Sequence, residues 1–202
     1  MNNFIAKTLS IIFHPLLMPT LGIMFIFYSG SYVSFLPSDV KKIILLVVGV
    51  NTLGLPLIMM PLFIQFKVIN SFAMESNRER ILPLTFTLIP YLLSVYFLIK
   101  LPIPFIISAF MLGASLAVAL CLIISYWWKI SIHLVGIGGM IGFLISFSIR
   151  LYTNVFPLLL IFIIAAGLLA SARLFLKAHK PQQVYLGFLL GFIIMLITTL
   201  TF

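Results

Sequence analysis

Long apolar segments, separated by short polar stretches, follow one another along almost the whole chain. The seven segments lie near residues 10–29, 43–65, 83–99, 103–127, 131–149, 155–172 and 183–201. Most approach the ~20 residues with which a helix crosses the ~30 Å hydrocarbon layer of a bilayer. Their near-continuity favours helices, which satisfy their own backbone hydrogen bonds in lipid, over the short alternating strands of a barrel. We therefore predict an all-α integral membrane protein, a helical bundle of six to seven transmembrane helices.

The composition agrees with this pattern. Hydrophobic residues make up 63% of the 202 positions and charged residues only 7%, which is far from the balance of a water-soluble domain. The apolar segments leave little chain between them, so we expect residues 1–202 to form a single transmembrane domain without a soluble domain. We expect a multi-pass protein of a bacterial-type inner (plasma) membrane.

The first apolar segment is interrupted by His14, Pro15 and Pro19, and no clear small-residue cleavage site follows it. A cleavable signal peptide is therefore not expected. We interpret His14 as the mark of a kinked or interfacial first helix rather than as a ligand. The one cysteine, Cys121, lies inside an apolar segment, so the chain offers neither a disulfide nor a thiolate cluster.

The formal net charge of +9 comes from basic residues spread over the loops between apolar segments. This distribution is typical of contact with lipid headgroups, and no nucleic-acid partner is expected. With seven spans, the N-terminus and the second, fourth and sixth loops share one side, which carries more Lys and Arg and would be cytoplasmic by the positive-inside rule. The counts become nearly equal once Arg78, Arg80 and Arg173 are set aside as candidate phosphate ligands, so the orientation stays open.

Residues 171–191 combine charge with the start of a membrane span. Arg173 and His179 stand six positions apart, directly before an apolar segment that carries Gly187 and Gly191. Charged groups beside hydrocarbon are costly, so their position indicates chemistry on an anionic group at a membrane surface.

This stretch resembles the third signature of the type 2 phosphatidic acid phosphatase family, which reads Ser-Arg, five residues, His, three residues, Asp. Arg173, the five-residue gap, His179 and the Pro-x-x-Val-Tyr-Leu-Gly continuation all fit. Ala172 stands in place of the serine and Gln183 in place of the aspartate. The resemblance is best over residues 129–191.

The family's second signature, Pro-Ser-Gly-His, is matched in part at the start of the fifth apolar segment. Ser131 and His133 correspond, while Ile130 and Ile132 replace the proline and the glycine. About forty residues lead from here to the third signature, which leaves room for one helix out and one helix back, as in the family.

A helix that begins at this point offers unpaired N–H groups and a partial positive charge to an anion. We expect Ser131 to cap that helix or to donate a hydrogen bond to a phosphoryl oxygen, and Lys129 to add charge. The following glycines should let a neighbouring helix approach closely; they are Gly136, Gly138, Gly139 and Gly142. The alternative is an interfacial histidine beside a packing seam.

The family's first signature, a lysine followed after six residues by Arg-Pro, is matched only loosely. Arg78 or Arg80 can take the arginine role, but no lysine stands seven residues before either, and two apolar segments separate this stretch from the second signature. The alternative is an ordinary basic loop in which Glu75 and Glu79 pair locally.

The resemblance implies a metal-independent phosphatase that works through a phosphohistidine intermediate and needs no cofactor. It implies that His179 attacks phosphorus and that His133 is the general acid on the leaving oxygen. It assigns Arg173, with Arg80 or Lys129, to the phosphoryl oxygens. Gln183 can accept a hydrogen bond from the His179 ring one helical turn away, but it cannot stabilise an imidazolium as a carboxylate does.

The acidic residues are too few for most metal sites. Asp39, Glu75 and Glu79 are all the chain contains, which argues against magnesium-dependent chemistry and against paired aspartate-rich motifs. No metal site is predicted.

The expected partners are membrane lipids and a substrate whose tail lies in the bilayer, either a lipid phosphate or a polyprenyl diphosphate. Two other functions stay open: a relative of the family that binds lipid phosphates or a partner protein without turnover, and a small transporter. The oligomeric state is not predicted.

Overall fold

A computed structural model of the chain describes residues 1–70, 74 and 76–202, and the secondary structure of this part is helical. Nine α-helices lie within the described residues: α1 (Asn3–Ile12), α2 (Met18–Tyr28), α3 (Ser38–Gly49), α4 (Leu55–Gln65), α5 (Ile81–Ile99), α6 (Phe105–Ser125), α7 (Ile132–Leu151), α8 (Phe156–Phe175) and α9 (Pro181–Thr201). The local pairing that the basic-loop alternative assigns to Glu75 falls outside this part of the chain, because Glu75 is not described.

Seven helical segments in the described residues are long and apolar enough to cross a membrane. Each coincides with one of the predicted apolar segments, so the predicted all-α membrane bundle is confirmed. Two segments are composite. The first joins α1 to α2 through a 3₁₀ turn at Pro15–Leu17, and the second joins α3 to α4 through a π-helical turn at Val50–Gly54. The predicted break in the first helix is therefore confirmed.

Helix α7 is the centre of the bundle. In the most apolar stretch of α7, 67% of the residues are buried, against 28% in the corresponding stretch of α8. Its most extensive contact is with α9. By contrast, α8 leaves large apolar side chains such as Ile161, Ile164 and Leu168 exposed, as a helix that faces lipid does.

Glycines make the α7–α9 contact closer than side chains would allow. A Cβ atom added at Gly138 or Gly142 would collide with a backbone carbonyl of α9, and one added at Gly191 would collide with the carbonyl of Val135 on α7. The predicted close approach of a neighbouring helix is confirmed, and α9 is that neighbour. The two helices that follow the second and third signature-like stretches are therefore packed backbone to backbone.

Consecutive spans run in opposite directions, so the starts of α5, α7 and α9 and the end of α8 lie at the same end of the bundle. Helix α1 packs against α8, and the 3₁₀ turn after it packs against α7. This arrangement gathers residues from five separate parts of the sequence at one end of the molecule.

Candidate functional site

The end of α8 sets the spacing between Arg173 and His179. Lys177 has a left-handed backbone conformation, with φ of 51°. The N–H of Lys177 donates to the carbonyl of Leu174, and the N–H of Ala178 donates to the carbonyl of Arg173. These are the two hydrogen bonds of a Schellman motif, which ends a helix and turns the chain sharply. The turn brings His179 back over the end of the helix that carries Arg173.

His179 is held by the first turn of α9. Its Nδ1 lies 3.2 Å from Oε1 of Gln183, and the backbone N–H of Lys180 donates to the same oxygen at 3.0 Å. The backbone donor requires an oxygen at this position, so Nδ1 of His179 must be the second donor. The proton of the neutral ring is therefore on Nδ1, and Nε2 carries a lone pair.

The His179 ring is neutral in the folded protein. Burial lowers its pKa to about 3, and the positive charges of Arg80 and Arg173 act in the same direction, against the hydrogen bond to Gln183. A neutral imidazole with a lone pair at a fixed nitrogen is the form in which a histidine can act as a nucleophile.

His133 lies in the first turn of α7. Its Nε2 is 3.2 Å from the backbone carbonyl of Ser10, which can only accept, so Nε2 carries the proton of the neutral ring. The remaining nitrogen, Nδ1, is the position at which this ring can take up and release a proton.

Ser131 does not have the expected role at the start of this helix. It is the N-cap residue of α7, but its side chain makes no capping hydrogen bond, so the expectation that it caps the helix is wrong. Its hydroxyl is fully buried, has no partner among the described residues, and does not reach the cavity described below. Its backbone N–H donates to the carbonyl of Gln183 at 3.1 Å, which joins the starts of α7 and α9.

Arg80 and Arg78 have different environments. Arg80 is buried, and its Nη1 donates to the carbonyl of Ile130 at 2.7 Å, which holds the start of α5 beside the start of α7. Arg78 is exposed and lies outside the cavity. Glu79 accepts a hydrogen bond from the side chain of Asn70.

Arg173 is only loosely satisfied by the protein. Its Nη1 approaches the hydroxyl of Ser10 at 3.5 Å, and its Nε is buried with no hydrogen-bond partner among the described residues. Burying an N–H group of a guanidinium costs free energy unless an acceptor binds it and a negative charge lies nearby. The unpaired Nε–H and the positive charge of Arg173 would therefore both be satisfied by an anion bound in this place.

These side chains meet in one cavity of about 780 Å³ inside the bundle. The arginine, lysine and histidine side chains of its wall are those of His14, Arg80, Lys129, His133, Arg173, Lys177 and His179. The rest is largely apolar and includes Leu57, Met60, Leu84, Tyr91, Phe110, Ala114, Ala117, Val118, Met140 and Met195. Among the described residues, no aspartate or glutamate lines this cavity. The cavity therefore combines a basic, histidine-rich part with an apolar part.

His179 also borders a second, shallower depression, which is lined by Lys129, Lys177, Lys180 and Gln183 among others. Four residues, His179 among them, line both spaces. The His179 ring thus stands between the internal cavity and the outer face of the bundle.

Sequence reasoning missed two residues of this site, Ser10 and His14. Both belong to the first span, and His14 is brought to His133 by the break at Pro15. The available signal was the His-Pro step itself, since a polar ring at a helix break inside an apolar segment is placed to face a neighbouring helix rather than lipid.

The described residues contain no group of three or more His, Cys, Asp or Glu side chains that is placed to hold a metal ion. Comparison of the chain with protein-family models, with curated proteins and with solved structures finds no match.

Proposed function

We propose that this multi-pass membrane protein is a metal-independent phosphatase that hydrolyses a lipid phosphate or polyprenyl diphosphate through a phosphohistidine, as a divergent relative of the type 2 phosphatidic acid phosphatases. One observation carries the proposal. A neutral histidine with its Nε2 lone pair available shares a cavity with the buried guanidinium of Arg80 and the half-buried guanidinium of Arg173, and the far part of that cavity is apolar.

The phosphate group is bound by Arg80 and Arg173. Arg80 donates one Nη1–H to the carbonyl of Ile130 and its Nε–H to the carbonyl of Met74 at 3.4 Å, and Arg173 has its Nε unpaired, so both retain donors for phosphoryl oxygens. Donors that are already in place stabilise the charge on the equatorial oxygens during transfer. Lys129 and Lys177 add positive charge at the same wall.

In the first step, the lone pair on Nε2 of His179 attacks phosphorus and the bond from phosphorus to the leaving oxygen breaks. The leaving oxygen takes a proton from Nδ1 of His133, which has gained it from the solvent or from the monoanionic phosphate. The carbonyl of Ser10 holds Nε2–H of that ring throughout. His179 keeps its Nδ1 proton on Gln183, so the intermediate is a phosphoimidazolium.

In the second step, water attacks the phosphohistidine and regenerates the enzyme. Nδ1 of His133, now neutral, takes the proton of the attacking water, and the electron pair of the P–N bond returns to Nε2 of His179. The outer depression beside His179 gives water a route that does not pass through the apolar part of the cavity.

The substrate tail occupies the apolar part of the cavity. Pockets of roughly 300–1,000 Å³ enclose most of a drug-sized ligand, and this cavity of about 780 Å³ has comparable room for a head group and part of a hydrocarbon chain. A substrate of this kind resides in a bilayer, and we propose a bacterial-type inner membrane as the location of the protein.

The test measures phosphate release by purified protein from phosphatidic acid and from a polyprenyl diphosphate, with EDTA present. We expect release by the wild type, loss of release in His179→Ala, and an acid-labile, alkali-stable radiolabel on the wild type alone after brief exposure to labelled substrate. Thermal unfolding of both proteins provides the control for folding. A wild type that is active only with added metal, or a His179→Ala variant with full activity, would contradict the proposal.

A second candidate function is binding of lipid phosphates without turnover. The observation that favours it is Gln183, because an amide holds the His179 ring but does not stabilise the positive charge of the phosphoimidazolium. The same assay separates the two functions, since a binder retains phosphatidic acid in a vesicle pull-down and releases no phosphate. A transporter is less well supported, because the charged lining residues gather in one part of the cavity rather than along a through-going path.

A further inference from the structure

The first span contributes a third histidine to the site. The 3₁₀ turn at Pro15–Leu17 interrupts the span directly after His14, and the His14 ring lines the cavity. Its centroid lies 5.3 Å from that of the His133 ring, with the two planes at 82°. This is an edge-to-face contact of two aromatic rings. The neighbouring Ser10 reaches the same place, with its carbonyl at His133 and its hydroxyl at Arg173.

The position of the His14 proton follows from its backbone contact. The N–H of Leu16 donates to Nδ1 of His14 at 3.3 Å, so Nδ1 carries a lone pair and the proton of the neutral ring is on Nε2. In the other two histidines the N–H group already has an acceptor. Nε2–H of His133 donates to the carbonyl of Ser10, and Nδ1–H of His179 donates to the side chain of Gln183. Among the described residues, Nε2–H of His14 has no hydrogen-bond acceptor.

We propose that Nε2–H of His14 donates a hydrogen bond to a phosphoryl oxygen of the anion bound between Arg80 and Arg173. The inference rests on the proposed function, in that it assigns one more ligand to the same phosphate. His14 is not the general acid, because a neutral ring that gave up its Nε2 proton would become an imidazolate. The proton stays on His14 in every step, and the ring binds the ground state and the transition state through one N–H.

Capping of the short 3₁₀ turn does not by itself account for a histidine at position 14. The cap needs only an acceptor for the N–H of Leu16, and asparagine supplies such an acceptor as well as any residue. Compared with asparagine, histidine adds a second ring nitrogen, Nε2, which takes no part in the cap. That nitrogen belongs to a ring in the wall of the cavity that Arg80 and Arg173 also line.

Two variants separate the cap from the cavity donor. The oxygen of asparagine reaches about as far as Nδ1 of histidine and preserves the cap, whereas the amide N–H of glutamine reaches about as far as Nε2 and preserves the donor. His14→Asn should therefore fold like the wild type but bind anion weakly, and His14→Gln should bind anion well even if its unfolding temperature falls.

The experiment titrates purified wild type, His14→Asn and His14→Gln in detergent with orthovanadate and with inorganic phosphate, and measures dissociation constants by calorimetry. A hydrogen bond to a charged group corresponds to about a tenfold or larger loss of affinity in His14→Asn, with at least partial recovery in His14→Gln. Unfolding temperatures recorded in the absence of anion report the cap separately. KM and kcat for lipid phosphate are measured in parallel.

Equal anion affinity in all three proteins would overturn the assignment of His14, and so would a wild type that binds neither anion. The proposed function can fail independently. Anion binding that depends on His14 in a protein without phosphate release would support the third histidine and reject the phosphatase. Phosphate release by the wild type that is unchanged in His14→Asn, together with unchanged anion affinity, would support the phosphatase and reject the role of His14.

Discussion

Gln183 fixes the tautomer of His179. The amide oxygen of Gln183 accepts hydrogen bonds both from the backbone of Lys180 and from Nδ1 of His179, at 3.0 and 3.2 Å. Because the backbone donor leaves the amide only one orientation, the ring has only one too, with the lone pair on Nε2. The first turn of α9 thus holds the ring in the form that the proposed nucleophile requires.

Replacement of Gln183 separates the orientation of the ring from the stabilisation of its charge. We expect Gln183→Leu to lower kcat by about 10²–10⁴, because a ring without its acceptor loses its fixed tautomer. Gln183→Glu retains the acceptor and adds a negative charge beside the phosphoimidazolium, so we expect kcat to rise. Steady-state phosphate release with saturating lipid substrate measures both. A kcat unaffected by leucine would show that Gln183 does not hold the nucleophile.

Arg80 and Arg78 form a matched pair, two positions apart in sequence and different in burial. Arg80→Ala should weaken binding of orthovanadate about 10- to 100-fold, because it removes charge-assisted donors from a buried site. Arg78→Ala should change the affinity less than about twofold, as expected for an exposed charge outside the cavity. Equal effects of the two substitutions would mean that the anion binds elsewhere.

The apolar part of the cavity should decide between lipid and soluble substrates. Ala117 lines the cavity from α6, and Ala117→Trp would fill part of the space meant for the tail. We expect this variant to raise KM for phosphatidic acid while leaving hydrolysis of p-nitrophenyl phosphate nearly unchanged. Ala119→Trp on the same helix is the control, since Ala119 is not among the cavity residues. A parallel loss of both activities in Ala117→Trp would contradict a separate tail space.

The seam between α7 and α9 should tolerate no added methyl group at Gly191. A Cβ there collides with the carbonyl of Val135, so Gly191→Ala must push the helices apart and should lower stability by about 1–3 kcal/mol or more. Gly167 on α8 has nothing within 4 Å of an added Cβ, and Gly167→Ala should be neutral or stabilising by up to about 1 kcal/mol. Unfolding in mild detergent compares the two. An equally stable Gly191→Ala would mean that the helices are farther apart.

The neutral His179 makes stability depend on pH. Its pKa is about 3 in the folded protein and about 6.5 in an unfolded chain. Between these values the unfolded chain binds more protons, so stability is highest above pH ~6.5 and falls as the pH decreases toward ~3. The unfolding temperature of the wild type should therefore drop more steeply between about pH 7 and pH 4.5 than that of His179→Gln. Parallel curves would show that His179 is not buried as a neutral ring.

The helical architecture could be predicted because hydrophobicity alone determines it. Each apolar segment had to become a helix to satisfy its backbone in lipid, and the observed spans follow the predicted ones. The close approach of another helix to the glycines of α7 could also be predicted, since small residues at helical spacing favour close packing. The sequence pattern could not show which helix packs against these glycines. Only the structure identifies α9, because a Cβ added at Gly138 or Gly142 would collide with the backbone of α9.

The candidate site was predictable where it is local in sequence. Arg173 lies in the last turn of α8, Gln183 in the first turn of α9 and His179 between the two helices, so their spacing in sequence largely determines how they are arranged. Ser10 and His14 lie more than a hundred residues from His133, and only tertiary packing brings them together. Ser131 illustrates the opposite failure. A serine before a helix favours capping, but its backbone N–H is bound to Gln183 and its hydroxyl is buried away from the cavity.

The backbone contact of α7 with α9 has a consequence for motion. His133 is carried by the first turn of α7, His179 directly precedes α9, and the hydrogen bond from Ser131 to Gln183 joins the two starts. We therefore expect the two helices to move as one unit, which would keep the spacing of the two histidines constant as the protein fluctuates. We expect a lipid to enter on the other side of the cavity, where α2, α4 and α5 complete the wall and contact α7 less extensively than α9 does.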